Sequence, residues 1–395
     1  MTPGARVQAA IELLDQVILA AREGGAAADT LVQRYFAQRR YAGSKDRRAV
    51  RELLYDAIRR AGELPKTGRA AMLGLAAEQP ELAELFDGGP HAPATITADE
   101  TAAPAGIAPK WLVDRLTASD IDAATQAALL DRAPLDIRVN RLKGSRDAVM
   151  AAWPEAEALA HAPDGLRMPT GTVIENRPEY NQGLVEVQDL GSQLVTVAAA
   201  AAPDMNVIDL CAGGGGKTLA LAAAMENRGN IIATDTDRGR LQRLAPRAER
   251  AGIDIVETRL LNPGREAEAL ADVADAADLV LIDAPCSGTG TWRRNPEARW
   301  RLTPDRIAKL AALQAELLDL GAGLVKPGGS LTYIVCSLLD EEGAGQVHDF
   351  LTRREGWQAE AIDLPVGTPR GPGLRLDPRR DSTDGFFVAR LRRPW

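Results

Sequence analysis

The chain runs to 395 residues, 45% hydrophobic and 26% charged, with a formal net charge of −8. That apolar content supports a large buried core and more than one domain. The acidic total excludes indiscriminate nucleic-acid binding but leaves room for a local basic surface, because a partner responds to the field at its site.

Residues 1–10 carry no apolar run, and no stretch approaches the ~18 apolar residues of a membrane span. A cytoplasmic protein with no membrane partner is expected. Up to about residue 75 the chain reads as helical. Val7, Ile11, Leu14, Val17 and Ile18 share one face at helical spacing, as do Leu31, Tyr35 and Phe36, then Val50, Leu53, Leu54, Tyr55 and Ile58. Gly43-Ser44 breaks the second helix from the third, and Ser44 or Asp46 is placed to cap the latter. Arg39, Arg40, Lys45, Arg47 and Arg48, with Tyr41 among them, form either a phosphate-facing patch or a solvated helix end with local ion pairs.

Residues 88–104, rich in Pro, Ala, Thr and Gly, read as a linker or loop. Helical character resumes at Pro109-Lys110-Trp111-Leu112. Strand signals at 135–139 and 165–168 flank a helix near 147–153, a small α+β segment. From about residue 185 short apolar runs alternate with helices. Strands are expected at 207–210, 230–234, 279–282 and 330–335, and helices at 195–202, 218–225, 238–251 and 304–324. Strand–helix alternation with wholly apolar strands predicts a parallel sheet covered on both faces.

The first of these strands, Val207-Ile208-Asp209-Leu210, runs into Cys211-Ala212-Gly213-Gly214-Gly215-Gly216-Lys217-Thr218 and a helix. A glycine-rich turn there lets backbone approach a ligand closely. Asp235, at the end of the next strand, is placed to accept hydrogen bonds from ribose hydroxyls. A phosphate loop is excluded, because the glycine it needs is Cys211. A dinucleotide site, a methyltransferase cofactor loop and a purely structural turn stay open on these residues alone.

Two further cysteines follow strands. Leu279-Val280-Leu281-Ile282-Asp283 ends in a carboxylate and leads into Ala284-Pro285-Cys286-Ser287-Gly288, while Leu331 to Val335 leads into Cys336-Ser337. Strand C-terminal ends are where open α/β sheets hold ligands, so both thiols are expected beside the crevice rather than in the core. The three cysteines contain no Cys-x-x-Cys pair and the three histidines are scattered, so neither a disulfide framework nor a metal site is expected.

Taken together, these segments resemble the RsmB/Sun family of RNA cytosine-5 methyltransferases. Asp283 to Gly288 is similar to its fourth motif, and Val335-Cys336-Ser337 with Asp340-Glu341-Glu342 to its sixth. Cys211 to Lys217 is similar to its cofactor loop, and Val187-Gln188-Asp189 with Ser192-Gln193 to the entry of its catalytic domain. Arg293 to Glu297 with Trp300, and Asp384 to Leu391, resemble later stretches. Tyr35-Phe36 and Gly43 to Arg48 resemble the NusB-like helical domain of bacterial members.

The resemblance implies a class I, Rossmann-like, S-adenosylmethionine-dependent methyltransferase domain over 185–395. It would follow a NusB-like RNA-binding domain and linker over 1–130 and a small α+β RNA-binding subdomain over 131–184. It implies methylation of carbon 5 of cytosine in RNA, with small-subunit ribosomal RNA as partner; the sequence does not give the oligomeric state, and a monomer is the default expectation. Cys336 would be the nucleophile at carbon 6, Cys286 the second cysteine used in product release, and Asp283 a hydrogen-bonding group at the base edge. Cys211, Ala212, Gly213, Gly214, Gly215, Gly216, Lys217, Asp235 and Asp283 would hold S-adenosylmethionine. Lys217 either adds positive field near cofactor or base or faces solvent at a helix start. Gly213-Gly214 stands where the family usually has Ala-Pro, Val335 where it has Thr, and Asn262 where it often has an acid. The rival readings are a DNA-type enzyme using Pro285-Cys286, a tRNA-directed enzyme, and a non-catalytic RNA-binding antitermination factor.

Overall fold

The computed structural model describes residues 1–395 and resolves into two compact units, Met1–Arg132 with Thr291–Thr303, and Ala133–Gly290 with Pro304–Trp395. The first is built on helices. Helix α1 (Pro3–Glu23) begins with Pro3 just inside the end, Thr2 Oγ1 accepting from the Ala5 N–H at 3.2 Å, and stops at Gly24 in the left-handed region. Helices α2 (Ala28–Ala37), α3 (Ser44–Arg60) and α4 (Gly68–Ala76) follow. Val7, Leu14 and Val17 of α1, Leu54 and Ile58 of α3 and Met72 of α4 meet in one core. Gly68 permits a close approach of α4 to α1, since a Cβ there would sit 2.3 Å from the Ile11 carbonyl.

One local expectation changes here. Ser44 is already inside α3 and Gly43 occupies the cap without a side-chain bond, while Asp46 accepts from Arg6 Nε at 2.9 Å. Residues 88–104 hold no helix or strand, but they do not hang free. The Ala103 N–H donates to the Ala70 carbonyl at 2.8 Å, and Arg69 grips Glu100 and the carbonyls of Ala94 and Thr95.

Residues 291–303, expected within the catalytic domain, belong to the helical unit. A carboxylate oxygen of Glu297 accepts the Ala28 N–H at 2.9 Å, supplying the cap that α2 lacks from its own flanking residue. Buried Arg299 donates to the carbonyls of Ile58 (2.7 Å), Arg59 (3.1 Å) and Ala61 (2.9 Å), the orphan acceptors at the end of α3. An acid at one helix start and a cation at another helix end both complement the backbone dipoles. Trp300 packs into the same core and donates to the Ala61 carbonyl at 3.0 Å.

The second unit holds two sheets. The smaller is antiparallel, in the order β2 (Glu157–Ala158), β3 (Gly165–Met168), β1 (Leu135–Val139), β4 (Val185–Val187). Ile137, Val139, Leu166 and Val185 pack with Val149 and Trp153 from the connection between β1 and β2. Fully buried Asp136 receives Arg167 through two bonds, of 2.7 and 3.0 Å.

The larger sheet contains β5 (Asn206–Asp209), β6 (Asn230–Asp235), β7 (Val256–Leu260), β8 (Ala277–Asp283), β9 (Val325–Val335), β10 (Gln358–Glu360), β11 (Thr368–Arg370), β12 (Gly373–Leu376) and β13 (Phe386–Arg392). Its order is β11-β12-β13-β9-β8-β5-β6-β7, with β10 also on β13. Strands β5 to β9 are parallel and β13 is antiparallel to β9. Alternate residues serve opposite faces: Val207, Ile231 and Leu281 pack with Leu194, Leu219 and Leu244, while Ile208, Ile232 and Val280 pack with Leu318 and Ala322. From β5 the chain steps outward to β6 and β7, then returns to the other side at β8. The crevice for a ligand therefore opens beyond the C-terminal ends of β5 and β8.

Candidate active site

Beyond β5, the loop 211–216 turns back on itself. The Gly215 N–H donates to the Ala212 carbonyl at 2.9 Å, and Gly213 and Gly215 sit at φ of +56° and +86°. Gly215 is required twice, since its conformation suits glycine and a Cβ there would lie 2.1 Å from Leu244 Cδ1. Gly216 is different: a Cβ there would meet nothing within 4 Å. Asp235 accepts from the Gly213 N–H at 2.9 Å and the Asp237 N–H at 2.7 Å, one on each oxygen, and a carboxylate can accept further hydrogen bonds. A bare glycine edge beside an under-used carboxylate fits a nucleoside cofactor. Arg247, a residue without any motif signal, holds the Gly214 carbonyl and donates to Glu186 at 2.8 Å, ordering a loop that lacks the usual proline. Cys211 packs against the core, and burial pushes its thiol well above the ordinary range, with Asp209, Asp283 and Asp235 adding to this.

The chemistry-bearing side chains gather at the next two strand ends. Cys286 follows β8 and Cys336 follows β9, and their Sγ atoms are 3.3 Å apart, both half-buried. The Cys336 sulfur and burial together push the Cys286 thiol well above its ordinary range, with the Glu342 charge acting the same way. Lys217 is not a solvent-facing lysine. Its ammonium is nearly buried and donates to Asp283 at 2.6 Å. Burial disfavours its charge, but Asp283 outweighs that and holds it above the ordinary lysine value. The ammonium also lies 5.6 Å from the ring centre of Phe386, in the closing strand.

Val335 faces the apolar core with Tyr333 and Phe387, so the hydroxyl usual in the family is replaced by packing. The hydroxyls around the thiols come from Ser287, Ser337 and Thr289 instead. Ser337 Oγ is 3.2 Å from Ser287 Oγ and 3.0 Å from Thr289 Oγ1. Under them lies the carboxylate of Glu342, fully buried. It accepts from the Ser287 N–H (2.8 Å), the Ser337 hydroxyl (2.6 Å), Gln314 Nε2 (3.1 Å) and the Ser287 hydroxyl. Sequence reading marked Glu342 only as part of a motif and missed Gln314 altogether, which sits on helix Pro304–Leu324 with no distinguishing neighbours. Asp209 lies within strand β5 and carries no role in the sequence reading. It is wholly buried, bonded by Thr218 Oγ1 at 2.7 Å, and burial raises its carboxyl to about 7 against that bond.

A parallel sheet with a glycine loop, an acid at the second strand end and an antiparallel closing strand defines a class I methyltransferase fold. Solved structures agree. That of PH0851 superposes over 98% of both chains with a TM-score of 0.77 at 24% identity. A methyltransferase homolog protein from Pyrococcus horikoshii superposes with a TM-score of 0.60 at 27% identity, over 72% of this chain and 99% of that one. The model of the 16S rRNA methyltransferase RsmB/F family matches residues 196–392. A Synechocystis chain described as probable ribosomal RNA small subunit methyltransferase B is 36% identical over 303 residues, 72% of this chain. The chain belongs to the RsmB/F methyltransferase family. The match covers 66% of the length of that relative.

Proposed function

We propose that this protein methylates carbon 5 of a cytosine in small-subunit ribosomal RNA, using S-adenosylmethionine and a covalent adduct between Cys336 and carbon 6. The observation that carries the reading is the contact of two thiols at adjacent strand ends, beside a partly buried lysine–aspartate pair. Carbon 5 of cytosine is a weak nucleophile until a thiolate adds at carbon 6. S-adenosylmethionine, when bound, supplies an electrophilic methyl group. Asp235 and the backbone of 211–216 are the residues to hold it, and Asp283, paired to Lys217, lies next to the cysteine loops to hydrogen-bond the pyrimidine edge. Cys286, whose thiol is held protonated, suits the later proton-handling step at carbon 5 rather than the attack.

The base must leave its stack to reach a thiol at a strand end, so the target lies in single-stranded or looped RNA. The basic segment of the helical unit has the character of a backbone contact. Arg39 stacks 3.6 Å from the Tyr35 ring centre and Arg47 donates to the Ala42 carbonyl, so those two serve the fold. Arg40, Lys45 and Arg48 are exposed beside Tyr41, itself 74% exposed, and would meet phosphates.

The test combines two variants with RNA mapping. Cys336→Ala should abolish both methylation and the RNA adduct, whereas Cys286→Ala should accumulate the adduct on denaturing gels. The reverse pattern would make Cys286 the nucleophile, as in DNA-type enzymes. Bisulfite mapping of ribosomal RNA from a deletion strain should lose one or more methylated cytosines in the small subunit; an unchanged map would remove the ribosomal substrate.

A further inference from the structure

The carboxylate of Glu342 receives only neutral donors: two from Ser287, one from Ser337 and one from Gln314. Ser287 adjoins Cys286 and Ser337 adjoins Cys336. Gln314 donates on to the Pro285 carbonyl at 2.9 Å, so the loop after β8 is held on both sides of its cysteine. The Gly290 N–H donates to the Cys336 carbonyl at 3.1 Å, and the Leu338 N–H to Thr289 Oγ1 at 2.9 Å, closing the same two loops on each other. We propose that Glu342 is a positioning residue for the reaction: it clamps the loops after β8 and β9 together and so keeps the two sulfurs in contact. This rests on the reading of Cys336 and Cys286 as the reacting pair.

The residue type follows from the donor set. Four hydrogens converge on one group, so the group must accept only, and a carboxylate is the side chain that does. A buried carboxylate is costly where apolar packing would merely fill space, so its place between two thiol loops points to geometry rather than to bulk stability. Glutamine is nearly isosteric but turns an amide N–H₂ toward hydroxyls that were donating, which forces the clamp to rearrange. Sulfur positions one residue away shift with it, and displacement of a reacting group by about 1 Å is worth on the order of 100-fold in rate.

Glu342→Gln in the full chain is therefore expected to lower kcat for RNA methylation by about 100-fold. KM for RNA and the affinity for S-adenosylmethionine should be unchanged, and adduct formation in a Cys286→Ala background should slow in parallel. Ser337→Ala removes one donor and leaves the carboxylate three, so it keeps the test open should Glu342→Gln fail to fold; it should lower kcat more modestly with the same unchanged KM. Folded variants turning over at the wild-type rate would overturn the proposal, as would a loss seen only in KM or melting temperature. A Cys286→Ala protein that accumulates no adduct would instead sink the underlying reading of the two cysteines.

Discussion

Asp209 shows how a single buried carboxyl couples the cofactor loop to stability. Its carboxyl is raised to about 7, above the ~4 of an exposed aspartate. A raised acid binds its proton more tightly in the folded state. Its contribution is thus fully present below about pH 4 and is lost as pH rises through about 7. Asp209→Asn keeps an acceptor for Thr218 and removes the titration. Its melting temperature should fall less between pH 5 and pH 8 than that of the parent, measured by calorimetry at both; parallel declines would show that Asp209 does not titrate there. Lys217 and Asp283 form the other residue-scale unit. Lys217→Met leaves Asp283 without the cation that faces it, and methylation should drop about 10- to 100-fold, the cost of a lost charge-assisted bond of roughly 1.5–3 kcal/mol. Single-turnover kinetics at saturating RNA would register it.

At the scale of elements, the glycine loop separates conformation from space. Gly215→Ala places a side chain at φ +86° and against Leu244, for about 1–3 kcal/mol of backbone strain before the clash is counted. It should lower both the melting temperature and cofactor affinity. Gly216→Ala meets open space and should leave the melting temperature in place. Calorimetric titration with S-adenosylmethionine, run on both, distinguishes a strained loop from an obstructed one. In the helical unit, Arg299→Ala strips the Ile58 and Arg59 carbonyls of α3 of their side-chain donor, while the Ala61 carbonyl keeps Trp300. Unsatisfied buried acceptors cost about 1–3 kcal/mol each, so thermal unfolding of that unit should shift clearly downward.

The whole molecule is assembled with one excursion. Chain that follows Gly290, in the loop after β8, supplies a helix cap, a donor for the last carbonyls of α3 and a core tryptophan to the helical unit, then returns at Pro304. A fragment ending at Arg132 therefore lacks the partners of α2, of α3 and of the seat occupied by Trp300. It should melt below the same fragment supplemented with a peptide spanning 291–303, by circular dichroism; equal melting would show that the excursion contributes nothing. No helix of the chain is long and apolar enough to cross a membrane.

Much of this was written locally. Apolar runs such as Val207-Ile208 and Leu279 to Ile282 announce buried parallel strands because both of their faces are covered, and the glycines around Gly215 announce a backbone turn because its left-handed conformation suits glycine. Two cysteines just past strand ends were legible for the same reason: a strand end fixes where the following loop must emerge. The tertiary structure alone decided which distant groups meet. Glu342, Gln314 and Arg247 act across gaps that no local period spans, and residues 291–303 serve helices more than two hundred positions away. Charge and hydrogen-bond partners are chosen by proximity in the folded chain, so their roles appear only when the sheet has brought the loops together.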